Sequence, residues 1–200
     1  MDAKSKSATS KTYTVAGKTL ADINKDISKK GPVDPNDKKR YAGSCLGELV
    51  LAITDKDLTY VTTPGSSPVE VTATPTGGTI TSVPTITMPK LGSDKDLSDP
   101  AKKEWKRFIA KTQVHEDGHA DSIFELAKTI AGELNALSAT ETGANEKAAQ
   151  VAAGKALFAQ MSTALGGGVL TKRINDDIKA YDAKTQHGAT QGAVLDTDIT

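Results

Sequence analysis

The sequence predicts an α+β fold in which a small antiparallel sheet packs on one long helix and further helices close the C-terminal end. Three observations lead there. Between residues 45 and 88, runs rich in Val, Ile, Leu and Thr are separated by Asp-Lys-Asp, Pro-Gly-Ser-Ser-Pro and Gly-Gly, the punctuation of strands joined by short turns. From about residue 100 onward, apolar side chains recur every three or four positions instead. The string His115-Glu116-Asp117-Gly118-His119, an H-E-x-x-H match, lies inside that helical pattern.

Taken in order, residues 1–11 read as a disordered tail rich in Lys, Ser and Thr. Tyr13-Thr14-Val15 reads as a short strand ending at Gly17. Thr19 then caps a helix, with Asp22 as its capping-box partner and Leu20, Ile23 and Ile27 on one face. Gly31-Pro32 stops it, and residues 33–39 form a polar loop.

Strands follow at 46–54 (an apolar run also long enough for a helix), 58–62, 69–74 and 79–88, an antiparallel meander by its short turns. Pro84 marks the last as an edge strand or an interrupted one, because proline cannot donate to a ladder. Asp99 is placed to cap the long helix, with Pro100 at its first position, and Trp105, Phe108, Ile109, Ile123, Leu126, Ile130 and Leu134 hold its stripe to about residue 138. A second C-terminal helix spans about 144–165 and stops at three glycines, and a third covers about 170–181.

At 200 residues the chain is long enough to bury a core, and residues 12–200 are expected to form one domain. Aromatics make up only 4% of residues, so that core must be aliphatic. Lys plus Arg equals Asp plus Glu, 25 each, which offers no attraction to nucleic acid or an acidic membrane surface. No apolar run has the length of a membrane helix, so no membrane insertion is expected. The N-terminus lacks the apolar middle of a signal peptide, which fits a chain not exported by that route or one whose signal has been removed. Cys45 is the one cysteine; a disulfide within the chain is ruled out, and the thiol reads as a small buried hydrophobe rather than a ligand.

The three histidines are the informative residues. Residues four apart share a helix face, so His115 and His119 can reach one ion. Glu116 stands beside them as a general base for a water whose pKa zinc lowers to about 7. A surface helix with two histidines by chance is the bland alternative, but a random match in so histidine-poor a chain is expected in about one sequence in a hundred. Gly118 also persists mid-helix despite costing about 1 kcal/mol there. Zn2+ is therefore the expected cofactor.

The third ligand is open. Metzincins place a histidine ten residues after the first, but here that residue is Glu125, and Ser122 stands where they have glycine. Gluzincins use a downstream glutamate, for which Glu133, Glu141 and Glu146 are available. His187, the last histidine, is preferred for the residues around it.

Those residues, Tyr181-Asp182-Ala183-Lys184-Thr185-Gln186-His187-Gly188, resemble the C-terminal Y-D-x-x-T-x-H-G signature of a family of predicted secreted bacterial zinc-dependent proteases. Tyr13-Thr14-Val15-Ala16-Gly17, Gly31-Pro32 with Arg40-Tyr41-Ala42-Gly43, Met88-Pro89 and Trp105-Lys106-Arg107-Phe108 resemble that family's other blocks in order, over about residues 12–195. The resemblance implies a minimal zincin-like domain with His115, His119 and His187 as ligands and Glu116 as general base. It makes Tyr181 a candidate oxyanion stabiliser, against the plain reading of a core tyrosine ending the third helix. Asp182 would orient a ligand histidine, lie at a helix end, or serve as third ligand itself.

The implied activity is a secreted or periplasmic zinc endopeptidase acting on protein or peptide. An amidase or cell-wall hydrolase with the same chemistry is the first alternative. A non-catalytic zinc-stabilised domain is the second, and it needs four protein ligands that this chain does not obviously supply.

Overall fold

A computed structural model describes residues 1–200. The elements are β1 (Asp2–Ser5), β2 (Thr9–Val15), α1 (Leu20–Lys30), β3 (Ser44–Ala52), β4 (Leu58–Thr62), β5 (Val69–Pro75), β6 (Thr79–Leu91), α2 (Asp99–Asn135), β7 (Ala139–Gly143), α3 (Glu146–Leu165) and α4 (Val169–Thr185). The fold is α+β. No helix is long and apolar enough to cross a membrane.

The chain divides into two compact units. The first comprises Met1–Lys6, Leu49–Ser82 and Phe124–Ile174; the second comprises Ser7–Glu48, Val83–Ile123 and Asn175–Thr200. Four elements (β3, β6, α2 and α4) run through both.

In the first unit β4, β5 and β7 form an antiparallel sheet, with Leu58 opposite Pro75 and Val69 opposite Gly143. The β4–β5 hairpin is the one its turn predicts, whereas β7 is a strand the sequence does not announce. Its interior residues are exposed Thr and Glu, so it shows no apolar alternation. The helix α3 packs against β5 and β7 and buries Ala149, Ala153, Leu157 and Met161. Asn145 caps it, its side chain accepting from the Ala148 N–H at 3.0 Å.

The second sheet corrects two expectations. β6 does not continue an antiparallel meander; it pairs in parallel with β1 (Asp2 opposite Thr79) and then with β2 (Thr9 opposite Thr85), and it also pairs with β3. The segment 1–11 is therefore largely strand and not a disordered tail. Its side chains are mostly exposed, and backbone pairing holds it where apolar patterning would not. Pro84 sits in an interior strand, in the step between the β1 and β2 registers, where the ladder on that side is interrupted.

The second unit has a core of Val15, Leu20, Ile23, Ile27, Leu97, Ala101, Phe108 and Leu195. Each fully buried aliphatic side chain of this kind is worth ~1.5–3 kcal/mol over exposure. The α1 cap is as predicted: Thr19 accepts from the Asp22 N–H at 3.1 Å, and Asp22 accepts from the Thr19 N–H at 3.2 Å. The long helix α2 begins one residue before the predicted first position. Its cap is Ser98, which accepts from the Ala101 N–H at 3.2 Å, and Asp99 lies in the first turn, where its charge suits the helix dipole. Gly47 of β3 lies directly on the Ile123 side chain of α2, a spot without room for a Cβ.

Candidate metal centre

His115, Glu116 and His119 occupy the buried stripe of α2, at 6%, 3% and 4% exposure. One helical turn between the histidines sets their rings edge to face at 4.7 Å. Both turn Nε2 toward one oxygen: Oδ1 of Asp182 lies 3.1 Å from Nε2 of His119 and 3.3 Å from Nε2 of His115. These three side chains offer ligand atoms that all lie within 4.8 Å of one another. The helix therefore supplies the pair its spacing promises, and α4 supplies a carboxylate.

Where the sequence ends its third helix at about residue 181, α4 continues to Thr185. Tyr181, Asp182 and Thr185 thus lie in helix, and Thr185 Oγ1 donates to the Tyr181 carbonyl one turn back at 2.9 Å. Beyond it Gln186, His187 and Gly188 all take left-handed backbone, with φ of 52°, 51° and 82°. That conformation costs an L-residue about 1–2 kcal/mol, and a run of two non-glycine residues in it marks an imposed turn.

The turn brings Nδ1 of His187 to 3.4 Å from the same Asp182 oxygen, with its ring stacked on Tyr41 at 4.4 Å. His187 is the most exposed of the three histidines, at 37% of its side chain. Its metal-capable neighbours are Asp34 and Asp182, a second group that shares Asp182 with the first.

Charge in the cluster is mutually adjusted. Burial alone would raise the Asp182 carboxyl, but hydrogen bonds from His115 and His119 hold it well below the usual range. Burial alone would lower His115, yet the Asp182 hydrogen bond and the nearby Glu116 charge raise it. Glu116 is pushed up to about 8, chiefly by burial; the charge of His115 opposes the rise, and those of Asp182 and Asp117 add to it. Gly43 lies against Oε1 of Glu116, where any Cβ would overlap the carboxylate. Gly118 lies under the Tyr181 hydroxyl in the same way, which accounts for a glycine in the middle of α2. The Tyr181 ring faces both histidines, 5.4 Å from His115 and 4.6 Å from His119.

Other candidates are engaged elsewhere. Glu125 pairs with Lys128 at 2.5 Å, Glu133 with Arg173 at 2.6 Å, and Glu146 accepts from Thr62 at 3.0 Å. Glu141 lies in β7, and none of the four belongs to a metal-capable group. Cys45 is a buried thiol pushed up to about 12, mainly by burial and then by the Glu116 charge. Two side chains at the site receive no role from the sequence, although Tyr41 lies within the Arg40-Tyr41-Ala42-Gly43 block. Tyr41 stacks on His187, and the Gln191 Oε1 meets Nδ1 of His115 at 2.9 Å. No local spacing marks either one.

The residues fit a bound metal by one structural test. Oε2 of Glu116 and Nδ1 of His119 are buried without a hydrogen-bond partner. Such orphans cost ~1–3 kcal/mol each; His119 belongs to the convergent group, and Glu116 adjoins His115 in sequence. Imidazole nitrogens and a carboxylate oxygen are donors that zinc accepts.

No curated protein and no solved structure matches the chain. A family model described as "Bacterial protein of unknown function (DUF922)" matches residues 10–188, and the chain belongs to that bacterial family.

Proposed function

We propose that the protein is a zinc-dependent endopeptidase, and the observation that carries this reading is the convergence of His115, His119 and Asp182 beside a buried, unpartnered Glu116. His115 and His119 would hold the metal through Nε2, with Asp182 or His187 in the third position. Asp182 is the one whose oxygen lies close to both. Bound there, zinc would supply a Lewis acid that activates water at neutral pH and polarises the scissile carbonyl.

The chain's own groups account for the rest. Glu116, with Oε2 buried and unpartnered beside the histidines, would take the proton of an attacking water and return it to the leaving amine. Tyr181 presents a hydroxyl beside the histidines, positioned to donate to charge developing on the carbonyl oxygen. Three protein ligands leave a position open, which favours chemistry over a purely structural ion. The H-E-x-x-H and Y-D-x-x-T-x-H-G strings support peptide as the substrate, and the same resemblance supports a secreted or periplasmic setting.

Metal analysis with hydrolysis of an unstructured protein substrate tests the reading. Wild type should bind one zinc and cleave; Glu116→Gln should bind zinc and not cleave. Zinc content of Asp182→Ala and His187→Ala assigns the third ligand. Full cleavage by Glu116→Gln would sink the proposal. Hydrolysis of a peptidoglycan amide with protein left intact would move the substrate to the amidase class.

A further inference from the structure

The C-terminal segment after α4 is built around one side chain. Residues Ala189–Gln191 make a 3-10 turn between Gly188 and Gly192, both left-handed at φ near 80°, where glycine alone is unstrained. The Ala193 N–H closes the loop on the Gly188 carbonyl at 3.0 Å. An anchor from α2 then fixes residues 192–196. Arg107 donates to the Gly192 and Val194 carbonyls at 2.7 and 2.6 Å, is itself held by Glu104, and Glu104 accepts from the Asp196 N–H at 2.9 Å. The residue this loop turns inward is Gln191, three positions beyond the part of the chain that matches the family.

Its amide touches both halves of the candidate site. Oε1 lies 2.9 Å from Nδ1 of His115, and Nε2 donates to the Tyr181 hydroxyl oxygen at 3.0 Å. A carbonyl oxygen only accepts, so His115 must carry a proton on Nδ1. Thr185 agrees: its hydroxyl proton goes to the Tyr181 carbonyl, so Oγ1 faces the same Nδ1 as a second, longer acceptor at 3.5 Å. Nε2 of His115, the atom turned toward Asp182, is then the nitrogen that must ligate. At Tyr181 the amide donates, so it occupies a lone pair of the phenol and leaves the phenolic proton unspent. No acceptor holds that proton.

We infer that Gln191 is a positioning residue whose single amide presents His115 to the metal through Nε2 and, at the same time, keeps the Tyr181 hydroxyl free to donate to substrate. The inference rests on the metal-dependent reading above. It adds a group that neither sequence motif contains.

The test compares Gln191→Ala with Gln191→Glu in the full-length chain, reading zinc affinity by chelator competition and then kcat and KM on peptide. The Ala variant loses the acceptor for His115, and its zinc affinity should fall about 10- to 100-fold. The Glu variant keeps that acceptor, so zinc affinity should stay within a few-fold of wild type. Its second oxygen now accepts the Tyr181 proton, so kcat should drop to the level of Tyr181→Phe with KM little changed. Combining the two substitutions should cost nothing further.

Wild-type zinc affinity in Gln191→Ala overturns the inference, as does an equal loss of zinc in both variants, which would mean a merely structural role. Full kcat in Gln191→Glu overturns the Tyr181 half. The zinc arm needs no substrate. A wild type that binds zinc but cleaves nothing therefore counts against the endopeptidase reading, while the affinities still decide for or against Gln191.

Discussion

The two ends of α2 share one geometry and opposite chemistry. A single buried stripe runs down the helix through Ala101, Glu104, Phe108, Thr112, His115, Glu116, His119 and Ile123, then through Ala127, Ile130, Ala131 and Leu134. Up to residue 119 most of its positions are polar or ionisable; after it every one is aliphatic. Helical period alone selects the stripe, so burial does not distinguish a core from a site. Partners do. Glu104 and the two histidines meet groups brought from far along the chain (Asp182 and Gln191 at the histidines, Asp196 at Glu104), while the aliphatic members need only volume. Stability should therefore reside in one end of the helix and chemistry in the other.

The largest effect that would break this contrast is at Glu116. Replacement by Gln should lower kcat on peptide by about 10²- to 10⁴-fold, the usual worth of a general base. The same change should leave the metal-free protein no less stable in thermal unfolding, since the amide is isosteric with the carboxyl and brings no charge into the buried site. A substantial drop in melting temperature would show that Glu116 is a structural member of the stripe. Ile130→Ala is the mirror image: with the side chain fully buried, it should cost about 2–5 kcal/mol in denaturant unfolding and leave zinc stoichiometry of the folded protein unchanged. A loss under about 1 kcal/mol would mean that the aliphatic end is loosely packed.

How much of this was legible depends on how local the cause is. The two histidines and Glu116 could be read because a helix fixes i and i+4 neighbours without help from the rest of the chain. The Thr19–Asp22 cap could be read for the same reason. The pairing of β1 and β2 with β6 joins residues more than seventy positions apart and leaves no trace in a window of ten, so residues 1–11 looked like a tail. Asp182 was visible within the C-terminal signature, but its place depends on α4 extending to Thr185 instead of ending near Tyr181. Gln191 has no motif at all; only the folded chain places it on His115. His187 shows the intermediate case, since its string was recognisable while its geometry, shared with Asp34 and stacked on Tyr41, was not.

A smaller effect sharpens the contrast at the start of α2. Hydrogen bonds from Arg107 hold the Glu104 carboxyl below its usual range against the opposing pull of burial, and the Asp196 N–H assists. The sign comes from the lowered value. The stabilisation is present above the ordinary glutamate pKa of about 4.3 and is lost as pH falls through the lowered one. Glu104→Gln should cost ~1.5–3 kcal/mol near neutral pH, the worth of hydrogen bonds to a charged group, and the difference from wild type should shrink below about pH 4. Parallel stability curves for the two proteins from neutral to acid pH would show that the pair contributes nothing to folding.

The smallest effects come from two glycines of this one helix, and their signs should differ. At Gly118 a methyl would overlap the Tyr181 hydroxyl, so Gly118→Ala must displace that ring or bend the helix, an overpacking cost of ~1–3 kcal/mol. At Gly132 the side is exposed and nothing lies within 4 Å of a would-be Cβ, so Ala adds helix propensity and restricts the unfolded chain. Gly132→Ala should therefore stabilise the protein by about 0.5–1 kcal/mol, measured as a raised denaturant midpoint at constant slope. If both substitutions stabilised, Tyr181 would not rest on α2, and its hydroxyl would not be held where the proposed chemistry needs it. If both destabilised, the cost would belong to the helix, and Gly118 would no longer mark the site.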